Sequence, residues 1–139
     1  MKKLVRFGVS MEEELLQRFD RLLEAKGYPN RSEALRDLVR SELVEHDWES
    51  GQAEVAGTIT LVYDHHKSDL EGWLTRMQHA SHHLILATTH IHLDHDNCLE
   101  VLIVRGQPAQ IRALADRLTG AKGVKHGRLT ISTTGAGLA

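Results

Sequence analysis

The chain opens on an alternation. Across residues 4–9, Val5, Phe7 and Val9 fall on one side, and Leu4, Arg6, Gly8 and Ser10 on the other. A period of two predicts a short strand with one apolar face. Ser10 then reads as a helix N-cap, with Glu13 completing a capping box. Leu15, Leu16, Phe19, Leu22 and Leu23 follow as an amphipathic stripe that stops at Gly27-Tyr28-Pro29. Asn30 opens a second helix, with Glu33 three residues on and a stripe of Ala34, Leu35, Leu38, Val39, Leu43 and Val44. The segment HDWESGQAE has no periodicity and reads as a linker in which Trp48 packs one domain on the other. It divides a domain at 1–49 from one at 50–139.

The second domain alternates strand and helix patterns. Residues 53–63 are rich in β-branched side chains. Leu70, Trp73, Leu74 and Met77 carry a helical period, capped by Ser68 or Asp69. Residues 84–93 and 98–104 read as strands joined by the turn LDHDN, and Pro108 opens a helix with Ile111, Leu114, Ala115 and Leu118. A last strand spans 124–132, and the tail TTGAGLA is expected to fray. The order βαββαβ is the split βαβ, ferredoxin-like arrangement, with one antiparallel sheet and two helices on one face. The fold class is therefore α+β. The uncovered sheet face predicts an interface between copies.

The first fifty residues form a strand, a helix, a turn and a helix. A lone strand leaves backbone groups unpaired, and so small a segment buries little surface. Two copies solve both problems: their strands pair into a ribbon and their helices share a core, as in the ribbon–helix–helix readers of the DNA major groove. The ribbon would present Arg6, Gly8 and Ser10. Arg6 can read guanine bidentately, Ser10 is a less selective partner, and Gly8 only allows close approach. Lys2 and Lys3 can reach phosphates, as can the helix start at Asn30, Arg31 and Ser32. The competing reading makes residues 4–9 an edge strand of a larger sheet. A ribbon dimer with a second interface predicts a homotetramer, a dimer of dimers.

Composition narrows the partners. The chain has 139 residues, 41% of them hydrophobic, and a net charge of −2 with histidines neutral. No global basic field draws in nucleic acid, so DNA contact must be local. One cysteine excludes an internal disulfide and suits a reducing compartment. No apolar run spans a bilayer, and the N-terminus lacks a signal-peptide pattern, so the expectation is cytoplasmic, with no membrane partner.

The chemistry concentrates in residues 78–98, QHASHHLILATTHIHLDHDNC, which hold His79, His82, His83, His90, His92, His95 and the only cysteine, Cys98. His90 and His92 lie on one strand face, about 6.6–6.8 Å apart at the backbone. Cys98 follows across a turn, so three donors can converge from one hairpin. The fourth is open among His79, His82, His83, His65, His66 and His95. Glu100 is a candidate to orient an imidazole from outside the ligand set. One thiolate with imidazoles suits zinc in a tetrahedron, or copper or nickel in a plane. A thiolate–histidine nucleophile is the enzymatic alternative, but neither a glycine-rich nucleotide loop nor an HExxH motif is present, so no enzyme is expected.

Several segments together resemble the nickel-responsive transcriptional regulators of the NikR type over nearly the whole chain. They are RFGVS, GYPNRSEALRDLVR, EVAGTITLVYDH, THIHLDHDNCLEV, GVKHGRLT and the QH pair at Gln78-His79. The resemblance implies a ribbon–helix–helix domain joined to an ACT-like domain in a homotetramer. It implies Ni(II), one per subunit, held in a plane by His90, His92 and Cys98 of one subunit and by His79 of a neighbour. Gln78 also matches the family pattern, and with Glu100 it is expected to support the ligands from outside the ligand set. The resemblance further implies a palindromic operator, repression of nickel uptake, and a further cation near Glu33 and Asp37. Gly8 departs from members with a hydroxyl residue there, which changes the expected operator. The alternatives are a regulator of the same build sensing copper, cobalt or an organic ligand, and a metal carrier without DNA function.

Overall fold

The structure, a computed structural model, describes residues 2–66 and 69–139. Its elements are α1 (Glu13–Lys26), α2 (Arg31–Ser50), β1 (Val55–Asp64), α3 (Leu70–Ala80), β2 (Ile85–His92), β3 (Asn97–Gly106), α4 (Pro108–Thr119) and β4 (Val124–Ile131). They fall into two compact units, residues 1–43 with 137–139, and residues 44–136.

In the first unit α1 starts at Glu13, with Glu12 as N-cap and no side-chain cap bond. The capping box expected from Ser10 and Glu13 does not form. Instead Glu13 and Glu14 occupy the first turn, where carboxylates meet the positive end of the helix macrodipole. The helix ends at Gly27, which adopts φ 77° and donates to the carbonyls of Leu23 and Glu24. That left-handed conformation is one glycine adopts without a Cβ clash. At the start of α2 the expected cap is present on one side only. Asn30 Oδ1 accepts from the Glu33 amide at 2.9 Å, but the Glu33 carboxylate pairs with Arg36.

Residues 2–12 form neither helix nor strand within the single chain. A strand needs a partner backbone, and among the described residues these meet none. The sheet is built from β1 to β4 alone, so residues 4–9 are not its edge strand. Leu4, Val5, Phe7 and Val9 are each at least 60% exposed. Leu15, Leu22, Leu38, Val39 and Leu43 are exposed too, while Leu23 and Ala34 are this unit's buried apolar residues among those described. Each fully buried aliphatic side chain contributes about 1.5–3 kcal/mol, so this unit's apolar stripes gain little from the single chain.

The segment expected to be a linker is helical to Ser50. The cause is Trp48, which is 3% exposed and belongs to the core of the second unit. Its Nε1 donates to the Ser132 carbonyl at 2.8 Å, and the Arg112 guanidinium lies 5.2 Å over its ring. Gly57 makes room for it: a Cβ there would meet the Thr130 carbonyl at 2.6 Å and the indole at 3.4 Å. Four residues earlier, Val44 packs on the same cluster, so a helical period persists where polar composition masks it.

The second unit is an antiparallel sheet in the order β2-β3-β1-β4, the order of a βαββαβ fold. Val55, Ile59, Leu61 and Tyr63 of β1 are buried with Leu70, Leu74 and Met77 of α3 and Ile111, Leu114 and Leu118 of α4. Asp69, before α3, has φ 61° and makes no side-chain cap bond; Ser68, the other expected cap, lies outside the described residues. The tail does not fray as a whole: residues 137–139 cluster with the first unit, where Arg40 Nη1 donates to the Ala139 carbonyl at 3.1 Å.

Candidate metal centre

The β2–β3 hairpin builds the centre. His92 pairs with Cys98 and His90 with Glu100 across the ladder, which places all four side chains on the helix-covered face. The turn between them is held by Asp94. Its carboxylate accepts from the backbone amides of Asp96 at 2.9 Å and Asn97 at 2.8 Å, and from the Asn97 side chain at 3.0 Å. Those bonds, the Asn97 side chain first, hold its carboxyl down to about 2.

Cys98 is fully buried. Its Sγ lies 3.3 Å from His92 Nδ1. His90 offers a ring nitrogen within 4.8 Å of the same sulfur. The other contacts of His90 fix its ring: Nδ1 is 3.0 Å from the Tyr63 hydroxyl and 3.7 Å from Glu100 Oε1. Gln78 Nε2 holds the other Glu100 oxygen at 2.9 Å. Sequence reasoning placed Glu100 and Gln78 in this support but missed Tyr63. Only the pairing of Tyr63 with Cys98 across β1 and β3 brings its hydroxyl there.

Two more donors approach. Glu71 groups with His90 and Cys98, and His65 with His92 and Cys98, each set within 4.8 Å of one another. His65 was one of the open fourth candidates; Glu71 was missed, because nothing local links α3's first turn to the hairpin. Within the single chain His79 belongs to no such group among the described residues, and its nearest recorded ring is that of His82, at 6.3 Å between centroids.

Burial, then the nearby carboxylates of Glu71 and Glu100, push the Cys98 thiol up. Burial likewise raises Glu100, against the attraction of His90. Both effects oppose bare negative charge, and both are relieved by a cation. A buried sulfur, two hairpin imidazoles and surrounding carboxylates therefore fit a divalent transition ion. Tyr63→Phe removes the hydroxyl beside His90 while keeping the ring in the core. Metal affinity is expected to fall about 10–100-fold, as for other groups that orient a ligand. The check is competition against a chelator of known affinity, with an unchanged melt of the metal-free protein.

The expected DNA-facing residues lie in the first unit. Lys2, Lys3, Arg6, Gly8, Ser10 and Ser32 are exposed. Ser10 makes no cap bond, so its hydroxyl has no competing role there. Gly8 stands in open space within the chain. Asn30 is occupied as the α2 cap. Arg31 makes two bonds to Asp20, at 2.9 and 2.8 Å; the Arg31 hydrogen bond is the first cause holding the Asp20 carboxyl below its usual range. Arg31 is thus not a free phosphate donor in this chain. Glu33 and Asp37 are held by Arg36 and Arg40, and Tyr28 also donates to Asp37 at 2.7 Å.

A two-helix segment preceded by an alternating apolar stretch, joined to a sheet domain carrying a buried thiol–imidazole cluster, is the build of a metal-responsive DNA-binding regulator. Residues 5–45 match the family described as "Ribbon-helix-helix protein, copG family", and residues 56–132 match "NikR C terminal nickel binding domain". The chain is 58% identical to a relative from Geobacter sp. (strain M21) over 99% of both chains. It is 60% identical to one from Solibacter usitatus (strain Ellin6076) over 98% of both. A third, from Desulfovibrio desulfuricans (strain ATCC 27774 / DSM 6949 / MB), is 58% identical over 100% of both. The words "nickel-responsive regulator" stand in the name of each of the three. The chain belongs to the nickel-responsive regulator family.

Proposed function

We propose that this chain binds Ni(II), one ion per subunit, and in that form represses genes of nickel uptake by binding a palindromic operator. His90, His92 and Cys98 would hold the ion, with His79 of a neighbouring subunit as the fourth donor. The observation that carries this reading is the buried Cys98 sulfur flanked by both hairpin histidines, with Tyr63 and Glu100 orienting His90. Bound there, the ion would supply a link between subunits.

The residues then divide the work. Tyr63, Glu100 and Gln78 keep the His90 ring in place. Cys98 loses its proton on loading, so uptake releases protons and weakens as pH falls. The exposed apolar stripes of residues 4–9, α1 and α2 would be covered in a ribbon dimer, and two such dimers would form the homotetramer. The sheet face of Thr58, Thr60, Leu99 and Val101, half-buried in one chain, would be covered in the same assembly. Arg6 would read bases, and Lys2, Lys3 and Ser32 would meet phosphates. For nickel to act as a switch it must favour the DNA-competent arrangement over the other; tight binding alone shifts nothing. The lone cysteine suits the reducing cytoplasm. Glu33 and Asp37 would bind a further cation only if Arg36 and Arg40 swung away.

Selecting DNA from a random pool with the purified protein tests this. Nickel-loaded protein should enrich a two-fold-symmetric sequence, and metal-free protein should not. Enrichment that ignores nickel, or that copper or cobalt alone produces, would sink the nickel reading.

A further inference from the structure

Glu71 stands in the first turn of α3, a helix pinned to the core by Leu70, Leu74 and Met77. A carboxylate oxygen of Glu71, a ring nitrogen of His90 and the Cys98 sulfur lie within 4.8 Å of one another. The start of a helix favours the ionised carboxylate through the macrodipole. Among the described residues this carboxylate makes no hydrogen bond or ion pair. The other acceptors and donors nearby are engaged. Glu100 is held by Gln78 and faces His90. His65 has its Nε2 on the His95 carbonyl and its ring 3.9 Å from that of His66. A carboxylate facing a buried thiol repels the thiolate, and a cation between them replaces that repulsion with two attractions.

We propose that Glu71 is a fourth donor supplied by the chain itself, so that Glu71, His90, His92 and Cys98 close on a divalent ion without His79 of a neighbouring subunit. The proposal rests on the reading of His90, His92 and Cys98 as ligands. His92 Nδ1, 3.3 Å from the sulfur, supplies the remaining nitrogen. One oxygen, two nitrogens and one sulfur suit a four-coordinate zinc or cobalt(II) ion. Bonds of about 2.0–2.3 Å set tetrahedral donors roughly 3.3–3.8 Å apart. Side-chain rotation closes the set from the observed spacing, with α3 and the hairpin in place. An ion held in this way has no ligand from a neighbour and makes no link between subunits. Glu71 and a neighbour's His79 therefore compete for one coordination position.

Titration of the full chain with Co(II), read by visible absorption, tests the proposal. His79→Ala should still saturate, with the sulfur-to-metal band and the intense ligand-field bands of a four-coordinate ion. Adding Glu71→Gln should lower cobalt affinity at least about 10-fold, the least that losing a group around a metal costs, and should shift the ligand-field bands at saturation. Adding His65→Ala in place of Glu71→Gln should change neither. An unchanged saturated spectrum with Glu71→Gln would overturn the assignment, because a carboxylate that only lies near the ion alters affinity without altering its ligands. A shift caused by His65→Ala, or loss of the four-coordinate bands in His79→Ala alone, would overturn it too. Cobalt affinity and bands unchanged in Cys98→Ala would show that the centre itself is misplaced, and the proposal would fall with it.

Discussion

Replacing Cys98 by alanine is expected to abolish the sulfur-to-metal absorption and the nickel dependence of operator binding. The size follows from comparison with the surrounding groups. Removing a residue that only orients a ligand weakens a metal site about 10–100-fold, so removing the one sulfur donor should exceed that. The alternative donors near this position are His65, His90, His92 and Glu71, and none supplies a thiolate. The substitution deletes a single heavy atom from a fully buried position, so the metal-free protein should still melt cooperatively near the wild-type temperature. His126→Ala is a suitable control. His126 pairs with Val62 on β4, and it belongs to none of the donor groups among the described residues. A Cys98→Ala protein that still binds operator only when nickel is present would show that the centre has been placed on the wrong residues.

Replacing Arg6 by alanine should have the other large effect, and on a different property. A bidentate arginine–guanine contact is worth about 1–3 kcal/mol of discrimination. A ribbon carries two copies, so specificity should fall by about 2–6 kcal/mol per ribbon, roughly 30-fold to 20,000-fold. Binding to unrelated DNA should change far less. Lys3→Ala should do the reverse, weakening all sequences alike and lowering the salt slope by about 2 per ribbon, about 1 for each copy. Fluorescence anisotropy with operator and scrambled duplexes separates the two. Arg6 is exposed in the first unit and the proposed metal donors are in the second, so chelator competition should find nickel affinity unchanged. Loss of nickel binding in Arg6→Ala would mean that residues 4–9 serve the metal centre and not DNA.

Much of this was legible in the chain itself. Local periodicity predicts α1, α3, α4 and the four sheet strands, because the spacing of apolar residues is a property of each segment alone. The placing of His90, His92 and Cys98 on one hairpin face is legible for the same reason: the three candidate donors are separated by a strand period and one tight turn. Capping was less legible. Ser10 and Glu13 have the right spacing, but the acidic turn at Glu13 and Glu14 starts the helix later.

The tertiary structure decided whatever depends on residues distant in sequence. The helical state of residues 45–50 follows from the burial of Trp48 beside Gly57 and Ser132, partners no local window contains. Arg31 looked like a phosphate donor until the turn between α1 and α2 brought Asp20 beside it. Tyr63 reaches His90, and His66 reaches Asp96, only because strand pairing sets their register. Conversely, the strand at residues 4–9 is written in its alternation, yet it does not form in one chain. A strand's hydrogen bonds belong to two backbones, whereas a helix satisfies its own.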